Sequence, residues 1–112
     1  MPVDALAPSG ITPVTGTFLT TATGQSASFT PIGGRSFNVS VNFGSGATGS
    51  IQLEWYVNSA IGWSIITAAG TQLYVWTGSA SEQVQTDQFN TQFRLNCTAH
   101  GGSGTITYSI SQ

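Results

Sequence analysis

Apolar and polar residues alternate with a period of two along four segments of this 112-residue chain. The four apolar rows are Phe37, Val39, Val41 and Phe43; Ile51, Leu53, Trp55 and Val57; Phe93, Leu95, Cys97 and Ala99; and Ile106, Tyr108 and Ile110. Most of the residues between them are Ser, Thr, Asn or Gln. Because successive side chains of a strand point to opposite faces, these segments are predicted to be antiparallel strands that each bury one face.

Five further segments show weaker strand patterns, and glycine-containing turn signals lie between them. The weaker patterns span residues 14–22, 25–31, 61–67, 71–77 and 81–86. No segment combines a helical period of 3.6 with capping residues. Eight or nine short strands at regular spacing predict an all-β fold, an antiparallel β-sandwich that is jelly-roll-like.

The first 13 residues differ from the rest because they contain three of the four prolines. Proline fixes φ and removes a backbone donor, so we expect an extended N-terminal arm at 1–13 and a single β-sandwich domain at 14–112. Val3, Leu6 and Ile11 are spaced along the arm. Two interpretations stand side by side: a frayed terminus, or an arm that becomes ordered against a neighbouring subunit.

Charged residues make up only 5% of the chain, and lysine is absent. With two arginines and a net charge of −2, the chain cannot neutralise a run of phosphates, so we expect neither nucleic acid nor a membrane surface as a partner. We also expect no secretory signal and no membrane-spanning segment. The 30 Ser and Thr residues imply a surface wetted by hydroxyls and amides. Such a surface costs little to desolvate when it is covered, which favours a component of a larger assembly.

The residue types that usually carry catalysis are few and scattered. His100 is the single histidine and lies beside a glycine-rich hairpin, which predicts a solvated turn residue rather than a metal ligand or a triad member. Glu54, Glu82 and Asp87 are interpreted as solvated surface carboxylates rather than as a pair for glycoside hydrolysis. Cys97 lies on an apolar row and is expected to be a small buried residue. We therefore expect a protein that is not an enzyme, with no catalytic residues, no cofactor and no bound metal.

Aromatic residues are the unusual feature of the predicted polar faces. In the strand predicted at 71–77, Leu73 and Val75 can face the core only if Tyr74 and Trp76 face away from it. Tyr74 and Trp76 are therefore predicted to be exposed, and so is Tyr56 on the polar face of its own strand. Exposed rings on a charge-free surface are typical of interface centres and, beside Asn and Gln, of stacking platforms for sugars. A third interpretation is that the packing of two sheets leaves these rings partly covered.

Five segments share their framework patterns with a known family of proteins. They are Gly34–Val41, Gly49–Glu54, Gly70–Thr77, Phe93–Thr98 and Gly104–Ser111. Together they resemble a family of small phage and prophage proteins, and they leave the arm uncovered. In size and all-β character the chain is similar to the decoration, or cement, proteins of short-tailed phages. Those are jelly-roll-like sandwiches that bind the outside of the assembled head and reinforce contacts between subunits of the major capsid protein.

The resemblance implies a virion protein that is made in the host cytoplasm and ends on the outer surface of the capsid. Its partner is then the major capsid protein, and whether it binds as a monomer, a homodimer or a homotrimer is open. The candidate residues for capsid contact are the arm residues Val3, Leu6, Pro8 and Ile11, followed by Tyr56, Tyr74 and Trp76. Two alternatives are a carbohydrate- or receptor-binding module and a tail or head–tail structural subunit.

Overall fold

The computed structural model describes residues 12–32, 35–85 and 91–112, and the regular structure in these ranges consists of strands. The ten strands described are β1 (Val14–Phe18), β2 (Gly24–Gln25), β3 (Phe37–Phe43), β4 (Ala47–Asn58), β5 (Gly62–Ala68), β6 (Thr71–Leu73), β7 (Val75–Trp76), β8 (Ala80–Val84), β9 (Phe93–Gly102) and β10 (Ile106–Ser111). They form two antiparallel sheets packed as a sandwich, which confirms the predicted all-β fold. The jelly-roll-like arrangement stays a prediction.

The two sheets bring the predicted apolar rows face to face. Among the described residues the larger sheet has the order β2-β9-β4-β5-β6, with β7 also paired to β4, and the smaller sheet has the order β1-β10-β3-β8. The register of β4 and β9 pairs Leu53 with Leu95, and the register of β3 and β10 pairs Val39 with Ile110. All four side chains are buried. The alternation of the sequence therefore identified the inner face of each of these strands.

Aliphatic and aromatic side chains from both sheets fill the core. The ring of Phe37 lies 5.5 Å from that of Phe29 and 4.9 Å from that of Phe93, measured between centroids. Cys97 is 1% exposed, which confirms the prediction of a small buried residue. The register of β9 against β4 shifts between Cys97 and Ala99, so Ala99 is exposed and the predicted apolar row ends at Cys97. Each large apolar side chain buried here stabilises the fold by about 1.5–3 kcal/mol.

The aromatic segment after β6 faces the opposite way from the prediction. Tyr74 has a φ of 57°, in the left-handed region, and this interrupts the alternation between β6 and β7. The register of β7 pairs Trp76 with Ile51 on the inner face, so Trp76 is only 6% exposed. Val75 is 42% exposed on the outer face. The expectation that Trp76 is exposed is therefore wrong, because one left-handed residue turns the following side chains over.

A glycine in the turn before β4 and one at the end of β9 permit a close approach of two backbones. Gly46 and Gly102 have φ values of 85° and 77°. A side-chain carbon added at Gly102 would lie against the carbonyl oxygen of Gly46, which accepts from the amide of Ser103 at 3.1 Å. Any larger residue at position 102 therefore meets both backbone strain and a steric clash.

We expect Gly102→Ala to lower the free energy of unfolding by about 1–3 kcal/mol, since it adds left-handed strain and a clash. The matched control is Gly78→Ala, because a side-chain carbon at Gly78 would meet open space. The control should change the free energy of unfolding by less than about 0.5 kcal/mol. Urea denaturation followed by tryptophan fluorescence measures both variants. Equal losses in the two would contradict the close approach at Gly102.

Candidate interaction surface on the larger sheet

The outer face of the larger sheet carries rings, amides and an ion pair. Cross-strand partners share a face of a sheet, and the register pairs Glu54 with Ile65 on one side and with Arg94 on the other. Tyr56 is paired with Trp63 in the same way. We call this surface the ring–amide face, and its residues are Gln25, Gln52, Glu54, Tyr56, Trp63, Ile65, Gln72, Val75, Arg94 and Asn96.

Glu54 lies at the centre of a polar network on the ring–amide face and is only 6% exposed. Its Oε1 accepts from Arg94 Nε at 2.8 Å, and its Oε2 accepts from Gln52 Nε2 at 2.7 Å and from Asn96 Nδ2 at 2.9 Å. The expectation that Glu54 is a solvated surface carboxylate is therefore wrong. Side chains of β4 and β9 cover it and supply three donors, which compensates the lost hydration of its charge.

The same contacts determine the ionisation of Glu54. Burial by itself raises the pKa of Glu54. The hydrogen bonds from Asn96, Gln52 and Arg94 and the positive charge of Arg94 outweigh that effect, so the pKa is lowered from its ordinary value of 4.5. Glu54 is thus ionised at neutral pH and neutralises the guanidinium beside it.

Two further amides extend this network along the sheet. Gln72 Nε2 donates to Gln52 Oε1 at 3.1 Å, and Gln25 Nε2 donates to Asn96 Oδ1 at 3.4 Å. With Glu54 between them, the hydrogen bonds run across β6, β4, β9 and β2. A connected network of this kind restrains the rotamers of its members before anything binds to the face.

Two aromatic rings and a guanidinium lie together on the ring–amide face. Arg94 Cζ lies 4.4 Å from the ring centroid of Trp63. The ring of Tyr56 meets that of Trp63 edge-on, with centroids 5.5 Å apart and planes at 67°. Ile65 and Val75 add exposed aliphatic surface on the same face. Trp, Tyr and Arg are the residue types that dominate the binding energy of protein interfaces.

Of the three rings that the sequence predicted to be exposed, only Tyr56 belongs to the ring–amide face, and it is half-buried there rather than exposed. Tyr74 is half-buried and packs against the core. Trp76 is buried and donates its Nε1 to Glu82 Oε1 at 3.0 Å. Trp63 is not among the site residues predicted from the sequence, because its position beside Tyr56 depends on the pairing of β4 with β5. The sequence feature that could have indicated Trp63 is its place as a large aromatic residue near the start of the alternating pattern at 61–67, directly after a turn.

The outer face of the smaller sheet has a different composition. Thr107 is paired with Asn42, and Ser109 with Ser40, whose hydroxyl lies 2.8 Å from that of Ser81. We call this surface the hydroxyl face, and its residues are Thr15, Thr17, Asn38, Ser40, Asn42, Ser81, Gln83, Thr107, Ser109 and Ser111. Each of them is uncharged and polar, and none carries a ring. The two outer faces of the sandwich therefore differ sharply in what they offer a partner.

His100 connects three parts of the chain. Because β9 continues through Gly102, His100 is a half-buried strand residue. Its Nδ1 lies 2.9 Å from the carbonyl oxygen of Ala22, and its Nε2 lies 3.2 Å from that of Gly104. The expectation of a solvated turn residue is wrong, since both ring nitrogens contact backbone carbonyls of other segments.

The remaining candidates do not form a chemical site in the part of the chain that the structure describes. The arm residues Val3, Leu6, Pro8 and Ile11, and also Asp87, lie outside the described residues. Within those residues no group of three or more His, Cys, Asp or Glu side chains is arranged to hold a metal ion. They also include no helix of the length and apolarity needed to span a membrane.

Comparisons with known proteins gave no match. No model of a protein family, no characterised protein and no solved structure matches the chain. The resemblance to small phage proteins therefore stays a prediction made from the sequence.

We expect Glu54→Gln to lower the free energy of unfolding by about 1–3 kcal/mol at neutral pH, because it leaves the half-buried Arg94 without its counter-charge. Since the pKa of Glu54 is lowered, its contribution is fully present above pH 4.5 and is lost as the pH falls through the lower, folded-state value. Wild type and variant should therefore become more similar in acid. Urea denaturation between neutral pH and about pH 3 measures this convergence.

The matched control for this series is Glu82→Gln. Glu82 is exposed, and a glutamine in its place still offers an acceptor to Trp76 Nε1. We expect the control to stay within about 0.5 kcal/mol of wild type at each pH. A loss in Glu54→Gln that is equally large at every pH would contradict an ionised carboxylate in the folded protein.

Proposed function

We propose that this chain is a non-enzymatic structural protein of a phage virion. In this proposal it is a decoration protein that binds the outside of the assembled head and reinforces contacts between subunits of the major capsid protein. The resemblance of five sequence segments to small phage proteins supports this function, and so does the way in which the molecule uses its charges.

The small number of charged side chains, and the pairing of two of them with each other, is the observation that carries the proposal. The structure describes four charged residues, Arg35, Glu54, Glu82 and Arg94. Glu54 and Arg94 neutralise each other at 2.8 Å, Glu82 is exposed and accepts from an indole, and Arg35 is exposed. Both outer faces are thus left mainly to uncharged groups. Low net charge protects poorly against self-association of free molecules, whereas uncharged groups cost little to desolvate when an assembly covers them.

A decoration protein acts by mass action on the assembled shell. It binds the assembled state and not the dissociated subunits, so each bound copy shifts the equilibrium toward the intact particle. A modest free energy per site suffices because it is multiplied by the number of sites. A stiff β-sandwich suits this role, since little conformational entropy is lost when it binds.

We expect this chain to be present in purified virions at a copy number comparable to that of the major capsid protein. Quantitative mass spectrometry of purified particles measures the ratio directly. A handful of copies per particle would instead indicate a tail, head–tail or receptor-binding component. Absence from the particles would rule out a virion role.

A second prediction concerns the N-terminal arm. Deleting residues 1–13 should leave the sandwich folded, because the strands described begin at Val14. We expect the truncated chain to bind particles more weakly, since it lacks the spaced apolar residues Val3, Leu6 and Ile11. Circular dichroism checks the fold, and co-sedimentation with particles measures binding. Equal binding of the truncated and full-length chains would show that the arm makes no contact of importance.

A carbohydrate- or receptor-binding module is the second candidate function. The favouring observation is the pair of rings, Tyr56 and Trp63, beside the amides of Gln52 and Asn96. Rings stack on sugar faces, and amides bind sugar hydroxyls. However, the guanidinium of Arg94 already lies over the Trp63 ring at 4.4 Å, which leaves less of that ring for stacking. We therefore place this function second.

A further inference from the structure

We infer that the ring–amide face is the surface through which this protein contacts the capsid shell, and that the hydroxyl face points to solvent. The inference rests on the proposed function and adds to it a surface and a partner chemistry. The occupant of the ring–amide face is an uncharged patch on a shell subunit, with apolar groups at its centre and hydrogen-bonding groups around them.

The charge of the ring–amide face determines what can cover it. Glu54 and Arg94 form an ion pair at 2.8 Å, and the carboxylate also accepts from Gln52 and Asn96. Because these charges are already compensated, a charged group of the partner would lose its water over this face without gaining a counter-ion. An uncharged partner surface is therefore the complement.

The aromatic residues of this face are held in place before binding. Arg94 is fixed by Glu54, and its guanidinium lies over the ring of Trp63, which Tyr56 contacts from the side. Side chains that are already ordered lose little entropy when a partner covers them. These three are also the residue types found most often at the energetic centre of protein interfaces.

Exposed aliphatic side chains accompany these rings. Ile65 is 37% exposed, and Val75 on β7 is on the same face. A single exposed aliphatic residue is ordinary, but two on the face that carries Trp63 and Tyr56 add to its apolar surface. Covering this area removes apolar surface from water, which is the main favourable contribution to association.

The hydroxyl face carries no ring or aliphatic side chain as an anchor, although an open recess of about 180 Å³ lies on it, lined by Ser40, Val41, Asn42, Thr107, Tyr108 and Ser109. Its side chains are Ser, Thr, Asn and Gln, and Thr107 at its middle strand is exposed to solvent. Such groups exchange hydrogen bonds with water for hydrogen bonds with a partner at little net gain. They keep a surface hydrated, which is what the outward side of a particle requires.

The decisive experiment compares one lysine on each face. Ile65→Lys places a charge on the ring–amide face, and its matched control Thr107→Lys places one on the hydroxyl face. Trp63→Ala removes a ring without adding charge. Circular dichroism and thermal denaturation confirm that each variant is folded. Binding is measured by co-sedimentation with capsid shells purified without this protein. We expect Thr107→Lys to bind like wild type, and Ile65→Lys and Trp63→Ala to lose at least about tenfold in affinity.

The outcomes distinguish an error in the assigned contact surface from an error in the proposed function. If wild type binds shells and Thr107→Lys fails while Ile65→Lys and Trp63→Ala bind normally, the assigned orientation is wrong and the decoration function stands. If all three variants bind like wild type, neither outer face is the contact surface. If wild type itself does not bind shells, the proposed function and the inference both fail. Loss of glycan binding in Trp63→Ala, with shell binding unchanged, would assign the ring–amide face to sugars instead.

Discussion

The pairing of β4 with β9 in a single register is the constraint on which the rest of the structure depends. This register places Leu53 against Leu95 on the inner face and Glu54 against Arg94 on the outer face. A slip of one residue would turn every side chain of one strand over, sending a charge into the core and a leucine into water. The glycine at 102 accommodates this register, because the backbones approach so closely there that a side-chain carbon would clash with the carbonyl oxygen of Gly46.

The inner and outer faces of the larger sheet serve different physical purposes. The core supplies most of the folding free energy through burial of aliphatic and aromatic side chains. The Glu54–Arg94 pair is a poor source of stability by comparison, because desolvation offsets much of the attraction between its charges. What the pair does provide is order: it holds Arg94 in place, and Arg94 in turn contacts Trp63. An ordered outer face is useful for binding, which is the role that we propose for it.

The sequence predicts those features that depend on local alternation. The rows at Phe37–Phe43 and Ile106–Ile110 face the core because a strand alternates its side chains whatever its partner is. The inversion at Trp76 could not be predicted, since it follows from a left-handed φ at Tyr74, a residue type with no preference for that region. The burial of Glu54 could not be predicted from the sequence either, because its donors on β9, Arg94 and Asn96, lie 40 and 42 residues away along the chain. Pairing between strands, rather than the pattern within one strand, decides the candidate site.

The positions of the few charged side chains explain how a chain with so little charge can present uncharged outer faces. Among the described strands β8 lies at the edge of the smaller sheet, and its exposed Glu82 accepts from the indole of Trp76. A charge on an edge strand also discourages pairing with another chain there. Glu54 and Arg94 compensate each other within the ring–amide face. The Glu54–Arg94 pair therefore contributes little to the outer electrostatic field, whereas Arg35 and Glu82 are exposed charges among the described residues. A surface made mainly of rings, amides and hydroxyls can be covered by a partner without burying an unpaired charge. That property suits a protein that packs densely in an assembly, whereas a protein that stays monomeric in solution relies on surface charge for repulsion.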